Sequence, residues 1–225
     1  MSDKYTLKTE LKHEWYIFLM IAAVFLLGVM VYPTLPEQVA IHWNLEGEPD
    51  DYGSRFYGVF GLPLLTLGIY LLLLFVPVID PRRRNYPQFA KVYRWIKLGF
   101  VLFMLGLHLA TLAYNLGYKI ALDRLVFPAV GLLFVLLGRG MPRIAPNYFV
   151  GIQTPWTLAN TEVWSKTHRF GGKLFFWSGI LLIGSTVLTS RVRFWLLLVL
   201  TIGTALATAV YSYLCFRQTE RGKAE

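Results

Sequence analysis

Six long apolar segments dominate this sequence and leave few structures open to it. Each is close to the roughly 20 residues that an α-helix needs to cross about 30 Å of hydrocarbon. A helix also satisfies its own backbone hydrogen bonds, as lipid requires. The sequence therefore predicts an all-α membrane protein, a polytopic bundle of six transmembrane helices. The predicted spans are residues 15–32, 58–79, 95–115, 120–138, 174–189 and 194–216.

The composition favours a membrane protein over a soluble domain. Hydrophobic residues make up 56% of the chain, charged residues make up 16%, and the mean hydropathy is +0.50. Cys215 is the only cysteine, which excludes an internal disulfide and leaves a cysteine-ligated metal or redox centre little to build on. We predict neither a cofactor nor a metal.

The basic residues are divided unequally between the two sides of the predicted bundle. Segments 1–14, 80–97, 139–173 and 217–225 hold 17 of the 22 lysines and arginines. The positive-inside rule then places both termini in the cytoplasm. Anionic lipid on that face would attract these flanks, so membrane lipids are predicted partners. Direct nucleic-acid binding is the weaker explanation of the net charge of +9.

The outward loop at residues 33–57 is longer than a simple connection needs, and such loops often carry function. Its Glu-Gly and Glu-Pro-Asp turn signals predict an ordered cap. The spacing of its acidic residues and His42 matches no calcium-binding loop. Two interpretations stay open. Either His42, Asn44 and Asp50 contact a ligand, or His42, Trp43 and Asn44 hold the loop at the bilayer surface, which we favour.

The inward loop at residues 139–173 contains the segment NYFVGIQTPWTLANTEVW. Glycine and proline in this segment fix its backbone angles, and its amide and hydroxyl side chains supply hydrogen bonds. We predict a folded element at the membrane surface, with its threonines bonded to local backbone and with Trp156 and Trp164 packed at the interface. A helix is predicted to start at Thr161, and on it Trp164 and His168 share a face.

Catalysis is not predicted for this loop. His168, Ser165 and Glu162 do not all lie on one helical face, and neither a nucleophile elbow nor a zinc-protease motif is present. His108 lies in the middle of the third span, where an ionisable residue suggests a functional site. We favour a neutral histidine bonded to a neighbouring helix.

Small residues in the last two spans predict how those spans pack. Gly179 and Gly184 in the fifth span, and Gly203 with several alanines in the sixth, would allow the backbones to approach closely. We predict that these spans form an antiparallel pair through these positions.

Two stretches give the chain a resemblance to a known family. The segment MPRIAPNYFVGIQTPWTLANTEVWSKTHRFGGK resembles the signature of the SdpI family of bacterial membrane immunity proteins. The segments LPEQVAIHWNLEGEPDDYGS and IDPRRRNYPQFAKVY resemble the amino-terminal domain of unknown function that commonly accompanies it. The sequence departs from the pattern at Gln153, where the family usually has arginine, and at Ala40, where proline is common. The resemblance divides the chain at residues 1–116 and 117–225.

The resemblance implies a function that composition does not. It implies a bacterial cell-membrane protein that protects its cell against a secreted killing peptide, with a peptide toxin as partner. It also implies signalling through a cytoplasmic repressor held at the membrane. The family supplies no catalytic residue, so the motif positions are expected to have structural or binding roles. They are Asn147, Tyr148, Gly151, Thr154, Pro155, Trp156, Thr157, Trp164 and His168.

Two other classes of function stay open. A small transporter or flippase would use His108 and the glycine and proline breaks of the second span, because discontinuous helices form transport sites. Six spans without two matched halves argue against it. A membrane enzyme acting on lipid-linked substrates at the inward loop would need a nucleophile that the sequence does not offer.

Overall fold

A computed structural model describes residues 5–222 of the protein. It contains six helices that are long and apolar enough to cross a membrane, and these confirm the six predicted spans. The helices are α1 (Leu7–Val31), α2 (Arg55–Ile79), α3 (Tyr86–Asn115), α4 (Leu122–Gly140), α6 (Thr161–Gly184) and α7 (Ser190–Arg221), and a short α5 (Pro155–Ala159) precedes α6.

The helices extend beyond the apolar segments, so many charges assigned to loops lie on helices instead. On α1 the helix begins at Leu7, where the Thr6 side chain accepts a hydrogen bond from the Thr9 amide. Asn160 caps α6 in the same way by accepting from the amides of Glu162 and Val163. The predicted helix start at Thr161 is confirmed, and the helix continues without a break into the fifth span.

The outward loop forms a β-hairpin, which corrects the all-α prediction. Strands β1 (Gln38–Trp43) and β2 (Pro49–Ser54) pair in antiparallel fashion. The Asn44 side chain organises the turn, because its Oδ1 accepts hydrogen bonds from the amides of Glu46 (3.0 Å) and Glu48 (2.9 Å). Asn115, at the end of α3, bonds both backbone groups of Ala40 and holds the hairpin on the bundle.

The helices form two packed groups. In the first, α1, α2 and α3 share an apolar core that includes Ile17, Tyr70 and Val101. In the second, α6 lies between α4 and α7, and α3 contacts α4 to join the groups. The two ends of the chain lie outside the described residues 5–222. The cytoplasmic location of both termini stays a prediction, as does the division at residue 116.

The closest helix contact is between α4 and α6, not between α6 and α7. A Cβ atom built on Gly179 would lie 2.7 Å from the Val135 amide nitrogen, and one on Gly172 would lie 2.8 Å from the Gly138 carbonyl oxygen. The predicted pair of α6 and α7 does form, with a Ser178–Thr204 hydrogen bond of 3.2 Å. Its predicted glycine contacts are wrong, because built Cβ atoms on Gly184 and Gly203 meet nothing within 4 Å.

Candidate functional site

The motif loop between α4 and α6 (residues 141–160) is folded around Asn147, which is fully buried. Its Nδ2 donates to the carbonyls of Ala145 and Val150, both at 2.9 Å. Its Oδ1 accepts from the amides of Phe149 (2.9 Å) and Val150 (2.6 Å). One side chain thus satisfies four backbone groups of a sharply turning segment, which gives Asn147 a structural role.

His168 and Trp164 fasten the loop to α6. The His168 Nε2 atom accepts a hydrogen bond from the Ile152 amide at 3.0 Å, so Nδ1 carries the proton that it donates to the Trp164 carbonyl at 2.8 Å. The two rings stack with centroids 4.0 Å apart. Because both ring nitrogens are bonded to backbone, His168 is occupied as a structural group rather than poised as a base.

Gly151 allows the loop to approach this histidine. Its φ of +112° lies in the region that side chains rarely adopt, and a Cβ atom there would collide with the His168 ring. Trp164 is 2% exposed and donates its Nε1–H to the Ile144 carbonyl at 2.8 Å. The prediction that Trp164 lies at the membrane interface is therefore wrong, because it belongs to the core beneath the loop.

The threonines close the end of the loop as predicted. Thr154 caps α5, Pro155 occupies its first turn, and Thr154 and Thr157 form a reciprocal capping box. The buried Thr157 hydroxyl lies 2.9 Å from the Ile152 carbonyl. Thr154 also bonds Ser212 of α7 at 2.9 Å, and Trp156 packs on Tyr213 with centroids 5.1 Å apart.

The motif loop also rests on the connection between α2 and α3, which the sequence did not predict. Buried Asp80 accepts hydrogen bonds from the Tyr86 hydroxyl and the Tyr148 amide, both at 3.0 Å. Arg82 donates to the Leu158 carbonyl at 2.9 Å, and its guanidinium lies 4.6 Å from the Tyr148 ring centroid. The two resemblance segments around residues 80 and 150 therefore form one folded unit.

Several side chains of the motif loop face outward from this unit. Tyr148 and Phe149 are 42% and 47% exposed, and Gln153 and Pro155 are also exposed. A surface with two accessible aromatic rings is suited to a protein contact, because aromatic residues are enriched at such contacts.

A cavity of about 900 Å³ lies at the opposite end of the helices. The hairpin covers it, and α2, α3, α4 and α7 supply an apolar floor that includes Leu65, Leu107, Phe127 and Leu197. The hairpin turn reaches across to α7, where Arg191 pairs with Glu46 at 2.9 Å. The cavity thus lies between the two helix groups and beneath a cap that contacts both.

His42, Asn44 and Asp50, the predicted site residues that lie in the hairpin, all line this cavity. His42 Nδ1 and Asp50 Oδ1 are 2.5 Å apart across the two strands, and both side chains are substantially exposed. Asn44 is occupied in the turn, whereas the Trp43 ring packs edge-on against Tyr114 at 5.4 Å. His42 and Asp50 form a polar rim and Asn44 shapes the turn, and contact of these residues with a ligand or with the bilayer surface stays a prediction.

The candidate residues therefore form two groups at opposite ends of the bundle. The hairpin joins α1 to α2, and the motif loop joins α4 to α6, so successive antiparallel helices separate them. No cluster of three or more metal-ligating side chains occurs within residues 5–222.

A buried group of charges between α1 and α3 was missed. Lys97 Nζ lies 2.7 Å from Glu14 Oε2, and Arg94 Nε lies 3.1 Å from Glu10 Oε2. The Tyr70 hydroxyl also donates to Glu14 at 3.0 Å. Glu10 and Glu14 are four residues apart, and Arg94 and Lys97 three apart, so each pair shares a helical face. That spacing was the available signal.

His108 does not make the hydrogen bond that was predicted for it. It is fully buried on α3, but neither ring nitrogen has a hydrogen-bond partner in the described part of the chain. The predicted bond to a neighbouring helix is therefore wrong.

Comparisons with known proteins agree with this architecture. The family model described as "SdpI/YfhL protein family" matches residues 143–212, which include most of the motif loop, and "Domain of unknown function (DUF1648)" matches residues 19–67, which include the hairpin. These matches confirm the resemblance to the SdpI family, and with the six apolar helices they define a multi-pass bacterial membrane protein.

A curated relative extends the likeness over most of the chain. The "Immunity protein SdpI" of Bacillus subtilis (strain 168) is 27% identical over 190 residues, which cover 84% of this chain and 88% of that protein. The likeness supports an immunity function. No solved structure matches.

Proposed function

We propose that this chain is an integral membrane immunity protein that protects its cell against a secreted killing peptide. The observation that carries the proposal is the cavity beneath the hairpin, in a chain similar to an immunity protein along most of its length. With about 900 Å³ it is at the upper end of the range of ligand pockets, enough to accept several side chains of a peptide.

The lining of the cavity suits a peptide that attacks membranes. Such a peptide has an apolar side that enters lipid and a polar side that does not. The leucines and Phe127 of the floor would contact the apolar side, and His42 and Asp50 would bond polar groups at the rim. The orientation predicted from the charges places this end outside the cell, where the peptide arrives.

A pair of neighbouring leucines on α2 tests this contact. Leu65 and Leu64 are similarly exposed, at 51% and 48%, but only Leu65 lines the cavity. Leu65→Trp should fill part of the cavity without disturbing the core and lower survival about tenfold in sensitive cells exposed to culture fluid of the producing strain. Leu64→Trp should protect as well as the unchanged chain. Equal protection by both variants, at equal protein level in the membrane, would refute capture in the cavity.

We infer a second role for the motif loop, the holding of a cytoplasmic repressor. The exposed Tyr148 and Phe149 rings support this role, since they lie on a rigid loop at the end predicted to face the cytoplasm. Buried residues that hold the loop in place, His168 of α6 above all, would support the surface without touching the partner.

Phe149→Ala should separate these two kinds of residue. Its side chain is exposed and only its backbone amide is used, in the bond to Asn147, so the variant should accumulate normally. We expect it to recruit less of a cytoplasmic partner to membranes, measured by cross-linking and pull-down from toxin-treated cells. Trp156→Ala and His168→Ala serve as comparisons, because both lose packing. Normal recruitment by Phe149→Ala would contradict the role of this surface.

The alternative function is a small transporter or flippase. The unpartnered His108 in α3 and the prolines Pro63 and Pro77 inside α2 favour it. Liposomes containing the purified protein separate the two functions. A transporter would move solute or lipid without toxin, whereas an immunity protein would reduce leakage caused by the toxin.

A further inference from the structure

A second groove, of about 670 Å³, lies between α4, α6 and α7 at the motif-loop end of the bundle. Its upper part is strongly basic. The four cations that line it are Arg139, Lys166, Arg169 and Lys173. Among the described residues, the lining holds no aspartate or glutamate. Glu162 pairs with Lys166 at 2.8 Å, and three further cations remain as an excess of positive charge at one site.

Arg139 is held at the groove by an aromatic ring, and two glycines contribute to the floor of the groove. The Arg139 guanidinium lies 5.5 Å from the centroid of the Phe176 ring. Gly138 and Gly172 belong to the close contact of α4 and α6, and they also line the groove. Because neither has a side chain, the backbones of α4 and α6 approach closely at this point and form the floor of the groove.

Aromatic rings line the groove beside the cations and further along α6. Phe170 and Tyr211 stack with centroids 4.2 Å apart, and Phe176 meets Trp177 edge-on at 5.4 Å. Trp177 is 62% exposed, and exposed Ile180 and Leu181 continue its helix face toward the middle of the span. Tryptophan and tyrosine at this level are typical of the boundary between headgroups and acyl chains.

We propose that this groove binds an anionic phospholipid. The phosphodiester lies among the cations, and an acyl chain runs along the aromatic side toward Ile180. Basic pockets between transmembrane helices bind anionic headgroups in this way. A free phosphate ion would use the charges but not the apolar face that continues into the membrane, so the lipid accounts for more of the groove. The proposal is independent of toxin immunity.

Native mass spectrometry of the protein in nanodiscs tests the proposal. The nanodiscs contain phosphatidylcholine with a minority of phosphatidylglycerol, and the measurement is the ratio of the two lipids retained by the protein. Arg139→Gln/Lys173→Gln should reduce the preference for phosphatidylglycerol about tenfold, since each basic residue near an anionic surface contributes measurably to attraction. Lys173→Gln alone, at an exposed position, should reduce it less and covers the case in which the double variant does not fold.

Arg83→Gln/Arg84→Gln is the matched control. It removes the same charge at the same end of the bundle, from exposed residues outside the groove, and should leave the preference unchanged. Equal losses in the two double variants would overturn the proposal, because they would indicate attraction to the whole basic face. Displacement of phosphatidylglycerol by inorganic phosphate at equal concentration would also overturn it in favour of a phosphate site. Survival against toxin is scored separately, so a loss of lipid preference with normal survival leaves the immunity proposal standing.

Discussion

Lys97→Met is expected to lower the melting temperature of the purified protein by roughly 10 °C, because it leaves the Glu14 carboxylate buried without its cation. Lys97 and Glu14 are both fully buried, and their charged atoms are 2.7 Å apart. Removal of one partner of a buried ion pair costs about 3–5 kcal/mol, whereas replacement of both by neutral groups costs far less. In the Lys97→Met variant, the Glu14 carboxylate would keep the hydrogen bond from the Tyr70 hydroxyl but lose its cation.

A double variant and a surface variant make this expectation specific. Glu14→Gln/Lys97→Met should recover more than half of the lost stability, because the glutamine can still accept the Tyr70 hydroxyl. Lys91→Met, at an exposed position on the same helix, should change stability by about 0.5 kcal/mol or less. Thermal unfolding in detergent, followed by size-exclusion chromatography, measures all three. A melting temperature for Lys97→Met equal to that for Lys91→Met would show that the pair does not hold α1 to α3.

The spans could be predicted because the requirement for about 20 apolar residues is local. The start of α6 could be predicted for the same reason, since the signal lies within a few residues of Thr161. The buried pair of Glu14 and Lys97 could not be predicted, because it depends on a contact that is distant in sequence. Charges near span ends are ordinarily solvated flanks, and only the packing of α1 on α3 brings residues 83 positions apart into contact.

The motif loop shows the same division. Its glycine, its prolines and its capping threonines predicted a folded element, and the structure contains one. Its support by Asp80 could not be predicted, because this contact joins segments 68 residues apart. The resemblance to a known family covers both segments, but it does not indicate that they are in contact. The turn signals of the hairpin were recognised in the sequence. The hairpin itself was not predicted, because its two six-residue strands were not recognised.

The glycine contacts illustrate why composition alone misleads. Small residues occur in both α6 and α7, and their number favoured a contact between these two helices. Which face of α6 carries each glycine, and which neighbour lies there, depends on the rotation of the helix in the bundle. Gly179 faces α4, whereas Gly184 faces open space.

Alanine at these two positions should therefore change stability in opposite directions. At Gly179 the added methyl group would meet backbone atoms of α4, among them the Val135 amide nitrogen at 2.7 Å. Backbone cannot move aside as a flexible side chain does, so α4 and α6 must separate. Overpacking of this kind costs about 1–3 kcal/mol. At Gly184 nothing lies within 4 Å, and alanine is preferred to glycine inside a helix by roughly 0.5–1 kcal/mol.

We expect Gly179→Ala to melt several degrees below the unchanged protein and Gly184→Ala to melt at or slightly above its temperature. Gly203→Ala on α7 is a second control, because a Cβ atom there also meets nothing within 4 Å. Gly138→Ala should behave like Gly179→Ala, since its Cβ atom would approach the Phe176 amide nitrogen and the Gly172 carbonyl oxygen. The four variants differ from the unchanged chain by one methyl group each, so hydrophobicity and helix propensity cannot explain a difference in sign. A loss of stability at Gly184 or Gly203 as large as that at Gly179 would instead place the tight contact between α6 and α7.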